Sequence, residues 1–288
     1  MNRKYMIPLF GTFVCWGSMY TVSKIALGTI PPVTLLALRY LVAVPALFLI
    51  LKLRGALRPL EKGDLKTVHL IGVVGYFASF CLQMLGISRL TGSVSSLFGA
   101  MNPIFIPVLA ALFLKERLTA AKVLSVAVSM AGVVTIVGVN GTVDLLGAVL
   151  MLASVFLWSA ASIMIRRFSG KYDPMQVAMF SMLLALPYVG TWAAIELRTA
   201  VCVITAKSAM AVLFMGLVGT AAAHSLWNFS LSKMDASFCS MFYPMQPLVS
   251  AILGVLVLGE EITASFVIGG LIICSGIVAA VISGKKKA

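Results

Sequence analysis

Runs of about twenty mostly apolar, nearly uncharged residues follow one another along the whole chain, separated by short polar connections. They cover residues 6–27, 33–51, 68–87, 92–114, 121–139, 145–165, 175–195, 208–228, 236–258 and 264–282. At about 1.5 Å per residue, each run in helical form matches the roughly 30 Å hydrocarbon core of a bilayer. The pattern predicts an all-α integral membrane protein with ten transmembrane helices. The first run has span length and no cleavage site before the polar turn at Gly28–Pro32, so it is expected to stay as a helix. Composition agrees: of 288 residues, 61% are hydrophobic and 11% charged, against about half and a quarter in soluble chains.

The net charge of +13 suggests nucleic acid until its placement is considered. With the N-terminus in the cytoplasm and the loops alternating, 17 Lys and Arg fall inside, among them Arg54, Arg58, Lys115, Arg166 and the Lys285–Lys287 tail. Only Lys24, Arg89, Arg198 and Lys207 fall outside, and Arg39 lies within the second span. That bias predicts both termini in the cytoplasm of a multi-pass plasma-membrane protein, the inner membrane in a bacterium. It makes membrane lipid the partner of the basic residues and argues against nucleic acid.

The chain also repeats itself. At an offset of 144 residues, Ser93–Thr119 overlies Ser237–Thr263 without a gap, identical at ten of 27 positions. The polar and structural matches carry the signal: Ser93/Ser237, Ser96/Ser240, Pro103/Pro247, Glu116/Glu260 and Thr119/Thr263. At an offset of 142 the starts of the halves align, with Trp16 on Trp158, Lys24 on Arg166, Pro32 on Pro174 and Pro45 on Pro187. The division is 1–144 and 145–288. Five spans per half force the copies into opposite orientations, two inverted five-helix repeats. Such repeats are characteristic of secondary transporters, which bind solute between them near the midplane.

The residues that carry a family resemblance are now in place. They are the tryptophan in the first helix of each half, Ala37-Leu38-Arg39-Tyr40 in the second helix, the Pro103/Glu116 and Pro247/Glu260 pairs, and Leu226-Trp227-Asn228. With them the chain resembles the ten-helix EamA-type members of the drug/metabolite transporter superfamily over nearly its whole length. The resemblance implies a carrier of small metabolites such as amino acids, nucleosides or cofactors, working between inverted halves, without fixing the solute. One chain carries both halves, so a working monomer is expected.

Polar residues inside spans are costly and are functional candidates when they face the bundle interior. Stripes at helical spacing recur at repeat-related positions. They are Tyr76, Phe80 and Gln83 against Thr220, His224 and Trp227; Ser95, Gly99 and Asn102 against Cys239, Tyr243 and Gln246; and Thr12, Trp16 and Ser23 against Ser154, Trp158 and Ser162. From these, Trp16, Arg39, Tyr76, Gln83, Asn102, Trp158, His224, Trp227, Tyr243 and Gln246 are the expected solute-binding residues. Small polar side chains also join helices without touching solute. His224 is either a proton-coupling group or a satisfied neutral histidine. Arg39 either binds a solute carboxylate or phosphate, snorkels to the outer surface, or pairs with Glu260 or Glu261. Pro103 and Pro247 read as mid-helix kinks, either shaping the bundle or hinging it.

All nine carboxylates lie in loops or at helix ends. No embedded acid is available to exchange a proton for a cation, which favours neutral or zwitterionic solutes. The five cysteines form no metal-ligand spacing, no enzyme motif occurs, and no cofactor is expected. Export of amino acids or related metabolites is the first reading; a lipid-linked substrate flippase and a non-transporting membrane subunit are the alternatives.

Overall fold

The computed structural model describes residues 6–114, 143–168, 170–234, 236–240, 242–243 and 245–285, with isolated positions between 124 and 135. The helices are α1 (Met6–Leu27), α2 (Pro32–Leu53), α3 (Lys62–Arg89), α4 (Gly92–Gly99), α5 (Asn102–Leu114), α6 (Leu145–Phe168), α7 (Pro174–Glu196), α8 (Ala206–Lys233), α9 (Ala236–Ser240), α10 (Met245–Leu258) and α11 (Ala264–Lys285). Among the described residues, six segments are long and apolar enough to cross a membrane: α2, α3, Gly92–Phe113, Leu145–Arg166 of α6, α7 and α8. Helix α1 has 22 residues, and α10 and Ala264–Gly276 are shorter apolar helices. The fifth expected span, 121–139, with Glu116 and Thr119 before it, falls almost entirely outside the described residues.

The distribution of side chains is that of a protein solvated by lipid. Leu53, Met210 and Leu256 are exposed. Arg39, Gln176, Thr220, His224 and Asn228 are buried. A water-soluble fold reverses this order, because each buried polar group needs a partner and each exposed apolar one meets water. In hydrocarbon an outward leucine is at home, and polar groups gather where other helices can satisfy them.

The two halves interleave. Helix α1 packs on α8 and α10, α3 on α6 and α7, α2 on α7 and α8, and α5 on α6. Close crossings use glycine. A Cβ at Gly72 would lie 2.6 Å from the Ser181 carbonyl oxygen, and one at Gly216 would lie 3.2 Å from the Arg39 carbonyl oxygen. A Cβ at Gly75 would strike Ala161, and one at Gly219 would strike Met19. Gly72 and Gly75 are related to Gly216 and Gly219 by the offset of 144, and Arg39 and Met19 to Ser181 and Ala161 by 142. Both glycine pairs sit in π-helical stretches, Gly72–Ser79 in α3 and Met215–Ala222 in α8. Such wide turns recur at functional sites.

The expectation of prolines in mid-helix is corrected. Pro103 is the second residue of α5 and follows a break at Ala100–Met101; Pro247 is the third residue of α10 and follows the turn that contains Phe242 and Tyr243. The first-turn N–H groups of a helix have no intrahelical acceptor, so proline there loses no bond. The breaks are closed by short i→i+3 bonds, Met101 N–H to Phe98 and Met245 N–H to Phe242, each at 3.0 Å. Pro107 is the proline inside α5.

Candidate functional site

A cavity lies where α1, α2, α3, α6, α8 and the two interrupted helices meet. Its walls include Trp16, Tyr20, Arg39, Phe80, Gln83, Asn102, Trp158, His224, Tyr243 and Gln246. Measured to the centres of water-sized spheres its volume is about 40 Å³, room for roughly three waters at about 10–15 Å³ each.

The aromatic lining comes from both halves. Trp16 and Trp158 meet edge to face with centroids 6.0 Å apart. The His224 ring packs against both, 5.2 Å from Trp16 and 5.4 Å from Trp158, and lies 5.3 Å from Phe80. Phe80 and His224 are themselves repeat partners at the offset of 144. Edge-to-face packing at these distances contributes about 0.5–1.5 kcal/mol per pair beyond burial, so the aromatic cluster holds its shape.

The polar lining is hydrogen-bonded to its supports. Ser159 donates to Asn102 Oδ1 at 2.8 Å, and Asn102 Nδ2 donates to the Gly99 carbonyl at 2.8 Å. Trp158 Nε1 donates to the Tyr243 hydroxyl at 3.0 Å, tying α6 to the break before α10. Tyr20 OH donates to Gln246 Oε1 at 3.4 Å. A side chain at Gly99 would run into the Tyr20 hydroxyl, so the glycine is what lets Tyr20 cross from α1 into the cavity.

Arg39 is 1% exposed. It neither snorkels nor pairs with Glu260. Its Nε and Nη2 donate to Thr220 Oγ1 at 3.1 and 3.0 Å, Nη1 lies 3.9 Å from Met84 Sδ, and the guanidinium carbon stands 5.6 Å from the Phe80 ring centre. Glu260 instead accepts from the backbone of Gly92 and Ser93. The Thr220 hydroxyl itself donates to the Met215 carbonyl at 2.6 Å, five residues back within the π stretch. The next residue, Tyr40, donates to the Tyr76 carbonyl at 2.5 Å, inside the other π stretch. Adjacent residues of α2 thus engage the widened turns of both halves.

Eight of the ten expected residues line one cavity. The other two do not, which corrects that part of the expectation. Tyr76 stands behind it, 5.4 Å from His224 and 5.6 Å from Trp158. Trp227 backs Trp16 at 5.4 Å and Tyr243 at 5.5 Å. A helix face is wide, and i, i+4, i+7 spacing alone does not separate the residue that reaches the opening from the one a turn behind it. Tyr20 was missed, although it lies four residues after Trp16 and three before Ser23, on the same stripe. Met19, Met84, Ile87 and Val155 also line the space and carry no polar signal to mark them.

The EamA-like transporter family model matches residues 3–138 and again 145–282. The chain belongs to this family. It is therefore a multi-pass membrane transporter of the drug/metabolite superfamily and not an enzyme. Among EamA relatives, an "Uncharacterized transporter" of Archaeoglobus fulgidus is 26% identical over 280 residues, covering 96% of this chain and 98% of the relative. A "Probable amino-acid metabolite efflux pump" of Salmonella typhimurium is 25% identical, covering 96% and 94%. A "Probable terminal-alkyne amino-acid exporter" of Streptantibioticus cattleyicolor is 24% identical, covering 92% and 89%. A solved crystal structure shares the fold over all of both chains, with a TM-score of 0.72 at 18% identity.

Proposed function

We propose that this chain exports amino acids or closely related small metabolites by alternating access, without ATP. Ten helices form two inverted five-helix copies, with both termini in the cytoplasm of the cell that houses it and the cavity near the membrane midplane. One chain is the working unit, and Pro103 and Pro247 mark the interrupted helices that move.

The observation that carries the reading is the paired architecture around a single shared cavity. The crossings Gly72–Ser181 and Gly216–Arg39 occupy repeat-related positions, and Trp16 meets its own counterpart Trp158 in the cavity wall. A site on a pseudo-two-fold axis can be opened from either side by equivalent motions of equivalent helices. The family model's two matches and the names of the efflux relatives support the same reading.

The test is counterflow in proteoliposomes loaded with unlabelled amino acids. Saturable exchange of a labelled solute is the expected result. Replacing Gln83, Asn102 and Gln246 together by alanine is expected to raise KM at least tenfold. Unchanged flux in that triple variant removes the cavity as the solute site.

A further inference from the structure

Among the described residues, Arg39 is a buried cation without a counter-charge. Among the described residues every salt bridge lies elsewhere: Lys171 with Glu61 and Asp64, and Arg89 with Asp144. Glu196 is occupied at the start of α2, where it accepts from Val33 and Thr34, and Glu260 at the start of α4. An uncompensated charge inside a membrane protein is expensive and marks function.

The hydrogen bonds that Arg39 does make restrict what it can still take. Thr220 Oγ1 accepts from Nε and Nη2, the side-on fork of the guanidinium. Met84 Sδ, 3.9 Å from Nη1, is a weak acceptor, so the end-on fork of Nη1 and Nη2 stays available to a stronger one. Two parallel donors on a planar cation suit a carboxylate held by both oxygens. Among the described residues no lysine and no second arginine lines the cavity, so a phosphate dianion would stay undercompensated.

Thr220 also sets the neighbouring histidine. Its backbone carbonyl lies 3.0 Å from His224 Nδ1. A carbonyl only accepts, so in the neutral imidazole the proton is on Nδ1 and Nε2 presents a lone pair. His224 is 1% exposed and lines the cavity, and its Nε2 has no hydrogen-bond partner among the described residues. A buried acceptor with no donor marks a position where a donor on a ligand would be stabilised.

We infer that Arg39 and His224, both positioned by Thr220, read the two ends of a zwitterion: the Arg39 fork holds a solute carboxylate and His224 Nε2 accepts from its ammonium. The indoles of Trp16 and Trp158 flank the rest of the solute and favour the ammonium electrostatically. The inference rests on the transport reading above and narrows it to solutes that carry a carboxylate. Thr220 is a positioning residue: its hydroxyl fills one fork so that the other is presented, and its carbonyl fixes the tautomer. Ser181, the repeat counterpart of Arg39, carries no charge, so the zwitterion binds one way round on a nearly symmetric frame.

The experiment uses the purified full chain in proteoliposomes, with the common L-amino acids as probes. Each is paired with its amide, which lacks the carboxylate, and its N-acetyl derivative, which lacks the ammonium. The inference expects at least one acid to exchange, with its amide at least tenfold weaker and its N-acetyl form weakened as well. Arg39→Gln is expected to bring the acid-to-amide ratio to about one, Arg39→Lys to restore part of it, and Thr220→Val to reduce it severalfold through KM with kcat retained. If Arg39→Gln fails to fold, the acid and amide comparison on the unaltered protein decides. Amides exchanged as well as acids would overturn the carboxylate site and leave transport standing. Acids discriminated from amides, with N-acetyl forms as good as the free acids, would overturn the role of His224. No exchange of any probe would overturn both this inference and the transport reading.

Discussion

Glu260, just past the end of α10, closes on Ser93 at the start of α4. Its carboxylate accepts the Ser93 hydroxyl at 2.6 Å and the backbone N–H groups of Gly92 and Ser93 at 2.7 and 3.0 Å. A carboxylate on the first N–H groups of a helix satisfies donors that have no intrahelical partner and complements the positive end of the helix dipole. Glu260→Gln removes the charge and one acceptor, and is expected to destabilise by about 1–3 kcal/mol. Ser93→Ala removes one bond of the three and is expected to do less. Thermal unfolding in detergent checks the order of the two losses.

Tyr243→Phe keeps the ring that packs 4.7 Å from Phe13 and 5.5 Å from Trp227. It leaves Trp158 Nε1 without its acceptor in a buried site. The expected cost is about 1–3 kcal/mol, with a change in tryptophan emission as the indole loses its bond. An unaltered emission spectrum and melting point would show that this bond does not couple α6 to the break before α10.

The glycines at the crossings are not equivalent. At Gly72 the obstacle is the backbone oxygen of Ser181, which cannot swing away; at Gly219 it is the flexible Met19 side chain. Gly72→Ala is expected to lower stability by about 1–3 kcal/mol, the usual range for overpacking, and Gly219→Ala by less. Gly190 has nothing within 4 Å of the new carbon, so Gly190→Ala is expected to be neutral. Melting temperatures of the three variants give the ranking.

The exposed cluster joining the start of α3 to the loop before α7 makes stability depend on pH. Lys171 Nζ sits 2.6 Å from Asp64 and 2.8 Å from Glu61, and Tyr172 OH donates to Asp64 at 2.8 Å. The hydrogen bond from Lys171, and then that from Tyr172, holds the Asp64 carboxyl below its ordinary value of 3.8. Asp64 and Glu61, in that order, hold the Lys171 ammonium above its ordinary 10.5. A lowered acid stabilises the fold above its ordinary value and loses that contribution as pH falls through the folded one. A raised base stabilises below its ordinary value and loses it as pH rises past the folded one. The cluster's contribution is therefore flat between about pH 4 and 10 and falls away on both sides. Because Lys171 and Glu61 are exposed, the effect is small and salt-sensitive. Lys171→Ala is expected to flatten the acid limb of melting temperature against pH.

The period of the apolar runs marked the helices because a span is a local property: about twenty residues either suit hydrocarbon or they do not. Helix α1 ends where the run does, at Leu27, and α2 starts at Pro32, beside the start of the next run. The stripes likewise brought eight residues to one cavity, since repeat partners such as Trp16 and Trp158 must face each other if the copies share an axis. Other features depend on neighbours that sequence spacing does not specify. Pro103 and Pro247 read as kinks within continuous spans, yet each follows a chain break closed by short turns. Tyr76 and Trp227 share a stripe with lining residues and still stand one layer back, because the side chains across from them decide which of them reaches the opening.

Arg39 shows the division most clearly. Its presence as a charge within an apolar run, and the absence of any acid inside a span, were matters of composition and position along the chain. That its side-on fork is filled by Thr220, that Glu260 is occupied elsewhere, and that His224 beside it keeps a free lone pair, came only from the packing of α2 against α8. Hydrogen-bond geometry between helices more than 180 residues apart is set by their crossing and by the glycines that let them approach.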